Sequence, residues 1–165
     1  MNNFARQLAE SNNPVITNAL DRFYRQTLGA TAIERVQDLP RQKQGIDVII
    51  ETKWGTIRID EKIRTTDYGD MLIEKYSCLR TKSIGWTIDP TKLTELIVYV
   101  VPGFLYLIPA KPLRKLILSD TAKFFYYGRE WRADNGAYES VFYSCPWEDL
   151  ASSIPIKKFS FSCKN

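Results

Sequence analysis

Two alternating β-runs around a tight turn restrict the fold of this chain more than any other feature. Ile46 to Thr52 (IDVIIET) is dense in β-branched residues, Lys53-Trp54-Gly55 reads as a turn, and Thr56 to Arg64 (TIRIDEKIR) alternates apolar with charged residues. A period of two does not fit a helix, so the two runs predict a β-hairpin. Side chains on a strand point alternately to its two faces. Ile57, Ile59 and Ile63 therefore share one face, with Glu61 among them, and Arg58, Asp60, Lys62 and Arg64 share the other.

The flanking sequence predicts what packs on this hairpin. Asn13-Pro14 reads as a helix cap followed by proline in the first turn, and Val15, Ile16, Ala19, Leu20, Phe23 and Leu28 recur at helical spacing up to Gly29. Residues 2–12 are weakly helical in pattern. Thr31 to Val36 reads as a short strand, and Pro40 to Gly45 as a loop. Met71 to Leu79 fits a strand better than a helix. Glu95 to Val101 (ELIVYVV) is a near-continuous apolar run, as in a buried central strand, and Pro102-Gly103 turns it back into Phe104 to Ile108. A helix over Pro112 to Leu118, a strand at Phe142 to Cys145, a helical turn at Pro146 to Leu150 and an edge strand within Lys157 to Asn165 complete the reading. With no linker or repeat, the 165 residues predict one α/β domain spanning 1–165. Its mixed sheet has about five strands flanked by helices, a core at about 14–118 and an aromatic-rich C-terminal extension at 119–165.

Composition narrows the chemistry. The chain contains no histidine. That excludes Ser-His and Cys-His nucleophiles, imidazole-ligated zinc and any histidine base, and leaves carboxylates, lysine, tyrosine or a metal ion. Neither a GxxxxGK[ST] loop nor a GxGxxG fingerprint is present. Cys78, Cys145 and Cys163 are widely spaced without a CxxC pair, as expected of reduced thiols in a cytoplasmic protein. MNNFARQLAE lacks the apolar run of a signal peptide, and no stretch is apolar enough for a membrane span. The net charge of +4 permits an anionic partner without requiring one.

On the charged face of the hairpin, Asp60 and Lys62 project side by side, roughly 7 Å apart by strand rise. With the turn at Lys53 to Gly55, Asp47 pairs near positions 60 to 63 and falls beside them. Two aspartates converging near a lysine suit a hydrolytic site. The carboxylates are hard oxygen ligands for Mg²⁺ or Mn²⁺, and the amine can stabilise charge developing on phosphorus. The alternative is an exposed hairpin whose charges are merely solvated.

The order of a helix, a strand, Gly45-Ile46-Asp47, a hairpin and Asp60-Glu61-Lys62 resembles the PD-(D/E)XK, or restriction-endonuclease-like, nuclease superfamily over roughly residues 14–109. The resemblance implies that Asp47 is the first motif aspartate, Asp60 the (D/E) position and Lys62 the lysine. It implies Mg²⁺ (or Mn²⁺) held by Asp47, Asp60 and the Glu61 backbone carbonyl, and phosphodiester cleavage of DNA or RNA. Ile46 replaces the proline that often precedes the first aspartate, and the helix expected after the third strand is not evident. A further acid on the first helix has Asp21 as its candidate and Glu34 as runner-up, while Glu74, set among apolar residues, could complete a metal shell or pair with Lys62 or Arg64. The Glu61 side chain, on the apolar face, is expected to be ion-paired or at the margin rather than a ligand. Arg58, Arg64, Lys53 and Lys43, with Arg41, are candidate phosphate contacts.

Phe124, Phe125, Tyr126, Tyr127 and Trp131, interleaved with Lys123, Arg129 and Arg132, resemble a base-stacking surface, with core or oligomer packing the plainer use. Trp86 and Trp147 read as structural anchors. DNA is the first expected partner, and self-association is compatible with so aromatic a tail. Two rivals share the fold: a catalytically inactive nucleic-acid-binding protein, and a mobile-element or anti-defence interaction protein.

Overall fold

The computed structural model describes residues 13–125 and 129–163. The weak helical pattern at 2–12 lies outside them, as do Tyr126 and Tyr127. The described residues build a mixed α/β arrangement of two sheets and five helices.

Helix α1 (Pro14–Thr27) starts where Asn13 caps it: the Asn13 side chain accepts from the Val15 amide at 3.0 Å, and Pro14 occupies the first turn. Strand β1 (Ala30–Arg35) leads to a short helix α2 (Leu39–Lys43), where the sequence pattern suggested only a loop. Asp38 caps this helix by accepting from the Arg41 amide at 3.0 Å, and Pro40 sits in its first turn. The hairpin follows as β2 (Val48–Thr52) and β3 (Gly55–Ile63), in the register Val48 to Ile59 and Thr52 to Gly55.

Strands β6 (Leu96–Val101) and β7 (Phe104–Pro109) form a second antiparallel pair. β6 lies parallel to β3, with Asp60 opposite Ile97 and Lys62 opposite Tyr99. The first sheet thus has the order β1-β2-β3-β6-β7-β10, where β10 (Lys157–Ser160) is the expected edge strand.

A parallel pair needs a crossover connection. Here it is not a helix: β4 (Asp70–Cys78) and β5 (Ser83–Ile84) make it, and they belong to a second, antiparallel sheet of order β5-β4-β9-β8. β8 (Glu130–Asp134) and β9 (Glu139–Pro146) complete that sheet. The expectation of one sheet of about five strands is corrected to a six-stranded mixed sheet and a four-stranded one. The C-terminal region contributes strands to both sheets, so it is built into the architecture. It also carries helices α4 (Thr121–Phe125) and α5 (Trp147–Ala151), which follow α3 (Ala110–Ser119).

Two apolar clusters cover the two faces of the first sheet. Leu20 and Tyr24 of α1 pack on Val48, Ile50, Ile59, Val98 and Val100. On the opposite face Ile97, Tyr99 and Ile108 meet Met71 and Ile73 of β4, Tyr143 of β9, and Leu113 and Ile117 of α3. Phe124 and Phe125 are buried in this second cluster, so packing accounts for them. Asp60 and Lys62, alternating with Ile59 and Glu61, point toward the second sheet, and the chemistry therefore falls between the two sheets. No helix among the described residues is long and apolar enough to cross a membrane.

Candidate active site

Asp47 stands just before β2, where the chain leaves the tight Gly45-Ile46 bend. Gly45 has φ +75°, and a Cβ there would sit 2.6 Å from Thr94 Oγ1, whose hydroxyl donates to the Gly45 carbonyl. The left-handed backbone and the close approach both require glycine. The bend delivers Asp47 against β3: the Asp47 amide donates to the Ile59 carbonyl at 2.9 Å, and Asp47 Oδ2 accepts from the Glu61 amide at 2.8 Å.

Asp60 is 2 % exposed. Burial, reinforced by the neighbouring Asp47 carboxylate and only partly offset by Lys62, pushes its carboxyl up to about 7. Lys62 Nζ donates to Asp60 Oδ1. Burial opposes the charge on this amine, but Asp60, Asp47 and Glu74 together outweigh burial, so it is held protonated above its usual range. The ammonium also lies 4.9 Å from the centre of the Trp86 ring.

Glu74 reaches the same place from the second sheet. It is buried, and its Oε2 accepts from the Trp86 amide at 2.9 Å. Burial raises its carboxyl, with the Trp86 amide, Lys62 and Lys92 pulling the other way. Gly85 makes this contact: a Cβ on it would lie 2.2 Å from the Glu74 carbonyl oxygen. Trp86 is thus more than an anchor, because its ring faces Lys62 and its amide orients Glu74. The Gly-Trp pair is the only local mark of it in the sequence.

Asp47, Lys62, Arg64 and Glu74 line a cleft of about 840 Å³ between the sheets. Among the described residues, no group of three or more acidic or cysteine side chains is arranged as a ready metal site. Two carboxylates and a nearby main-chain carbonyl do suit a magnesium-like cation, which commonly takes one or two carboxylates and completes its shell with water and phosphate. The crowding of Asp60 by Asp47 in a buried place is of the kind a hard cation relieves.

The other candidate residues are placed elsewhere. The Glu61 side chain turns to the α1 face, where Tyr24 Oη donates to it at 2.6 Å and Arg35 Nη1 at 3.1 Å. Asp21 is bound to the same Arg35 at 2.7 Å, so this acid of the first helix belongs to the Glu61 network. Glu34 is exposed and paired with Arg41 at 2.6 Å. Arg58 is held by Glu95 at 3.2 Å. Lys53 sits over Trp54 at the hairpin turn, about 20 Å along the strand from Lys62. Lys43 is exposed on α2, and its carbonyl accepts from Lys92. Of the four basic candidates, only Arg64 borders the cleft, with Nη1 on Asp70 Oδ1 at 2.6 Å. Arg35 borders it too, and sequence reading missed it, because nothing local distinguishes it from other strand-end arginines.

No family model, curated protein or solved structure matches the chain.

Proposed function

We propose that this chain is a metal-dependent nuclease on a restriction-endonuclease-like fold, cleaving phosphodiester bonds of DNA, with RNA as the other substrate class. The reading is supported by one observation above all: Asp47 and Lys62 line a cleft between two sheets, and both act on the buried Asp60, which Asp47 crowds and Lys62 binds. A crowded acid pair costs stability in an apo protein, and a surface hairpin has no need of one.

Asp47, Asp60 and the Glu61 carbonyl would hold Mg²⁺ or Mn²⁺. The Glu61 amide is turned to Asp47, and in a strand the carbonyl of the same residue faces the same edge. The bound cation would supply Lewis acidity toward a phosphoryl oxygen and a more acidic water. Lys62, held protonated, neutralises charge building on the phosphoryl oxygens. Glu74 and the Trp86 ring lie on the other side of the site and add to the pull on that amine. Arg64 and Arg35 offer positive charge on the cleft wall for flanking phosphates. The three free thiols suit a reducing, cytoplasmic setting.

The test is cleavage of single-stranded DNA, duplex DNA and RNA with Mg²⁺ or Mn²⁺, beside Asp60→Asn and Lys62→Ala. Metal-dependent cleavage lost in both variants supports the enzyme. Binding without cleavage points instead to an inactive nucleic-acid-binding protein.

A further inference from the structure

The cleft has a second working wall. Tyr68, in the loop between β3 and β4, and Trp131, on the edge strand β8, both line it. They are 65 % and 38 % exposed, so neither ring is spent on the core. Their centroids stand 6.5 Å apart with planes inclined by 31°. That separation is usual for neighbouring aromatic rings, yet both rings stay exposed on the cleft wall, where the flat face of a base can stack against them.

Each ring also carries a guanidinium: Arg64 lies 5.2 Å from Tyr68, and Arg129 4.2 Å from Trp131. Aromatic faces alternating with cations are the chemistry of single-strand binding, in which rings take bases and cations take the backbone. Arg64 is two residues from Lys62 on the same face of the chain, and the two rings share one cleft with Asp47 and Lys62.

We propose that Tyr68 and Trp131 form a clamp, a pair of exposed rings against which an unpaired base stacks, and that the substrate is therefore a single-stranded or locally unpaired nucleic acid. Inside a duplex each base face is already stacked on its neighbours, and the clamp has nothing to grip. The clamp names the substrate class of the nuclease reading and rests on it for its purpose. The ring geometry stands without it.

The experiment uses short oligonucleotides carrying 2-aminopurine, as DNA and as RNA, single-stranded or in a duplex, titrated in chelator so that nothing is cut. The full chain should quench the single-strand fluorescence on binding. Tyr68→Ala and Trp131→Ala should each weaken that binding about tenfold and remove the quench, while Tyr68→Phe and Trp131→Phe keep both. Ring-dependent binding of either the DNA or the RNA strand supports the clamp. Both rings are exposed, so thermal midpoints of the alanine variants should match the parent and exclude misfolding. Alanine variants that bind single strands within twofold of the parent, or equal quenching with duplex, would overturn the clamp. Parallel cleavage in Mn²⁺ separates the two readings. Cleavage indifferent to both rings removes the clamp and leaves the nuclease. Ring-dependent binding with no cleavage removes the nuclease and leaves the clamp.

Discussion

Asp47 is tied to Glu61 by a 2.8 Å hydrogen bond from the Glu61 main-chain amide to Asp47 Oδ2. The acid at the mouth of one strand is thereby fixed against the middle of the next, independently of any cation. The two side chains then serve opposite faces: Asp47 turns to Asp60 and Lys62, and Glu61 to Tyr24 and Arg35.

This bond separates folding from chemistry at Asp47. Asp47→Asn keeps an acceptor for the Glu61 amide and relieves the crowding of Asp60, so it should match or exceed the parent's thermal midpoint. Asp47→Ala leaves that amide without a partner and should lose about 1–2 kcal/mol in denaturant titration. Both variants should lose cleavage by about 100-fold or more, because the amide oxygen of asparagine does not replace the charge.

The raised Asp60 carboxyl gives a stability profile with a definite sign. Its folded value of about 7 lies above its ordinary value of 3.8, so the native state holds a proton that the unfolded chain releases. Its contribution is fully present below about pH 4 and is lost as the pH climbs through 7. Metal-free protein should therefore lose stability between those limits, by at most about 4 kcal/mol. Asp60→Asn should flatten that part of the curve. A profile unchanged by Asp60→Asn in urea titrations across this range would contradict the assignment.

Lys62 and Asp60 should behave as a coupled pair. Lys62→Met removes the cation beside a buried carboxylate, and at pH 8 should cost about 3 kcal/mol. Adding Asp60→Asn should recover most of that loss, giving a clear interaction energy in a double-mutant cycle. Additive losses would mean that the contact contributes nothing.

Much of this arrangement can be read from the residues. The alternation of Ile57, Ile59 and Ile63 with Asp60 and Lys62 determines which face each group serves, and the turn at Lys53 to Gly55 sets the register that brings Asp47 alongside. The apolar run at Leu96–Val101 marks the central strand, and Asn13-Pro14 marks the start of α1. Less of the second sheet is visible. Glu130–Asp134 carries no alternation that distinguishes it from a polar loop, and it becomes a strand only by pairing with Glu139–Pro146. The position of Glu74 beside Lys62 depends on that sheet folding over the first, a long-range contact that no local pattern encodes. For the same reason Asp21 looks like a metal acid on its helix, while Arg35, arriving from β1, claims it.

Gly85 should tolerate no side chain. The Cβ of alanine would meet the Glu74 backbone at 2.2 Å, forcing the loop off β4 and taking the Trp86 ring from Lys62. Gly85→Ala should lose about 2 kcal/mol or more and reduce cleavage well beyond its effect on folding. Trp86→Phe, which keeps the amide contact to Glu74, should be the milder change in both measurements.

In the proposed function Asp47 and Asp60 together hold a divalent cation beside Lys62. Manganese titration followed by electron paramagnetic resonance, with a short oligonucleotide present, tests it most directly. The parent protein should show one saturable manganese site, lost in Asp47→Asn and in Asp60→Asn and kept in Asp21→Asn and Glu34→Gln. Equal manganese binding by all five proteins, or saturable binding by none, would contradict it.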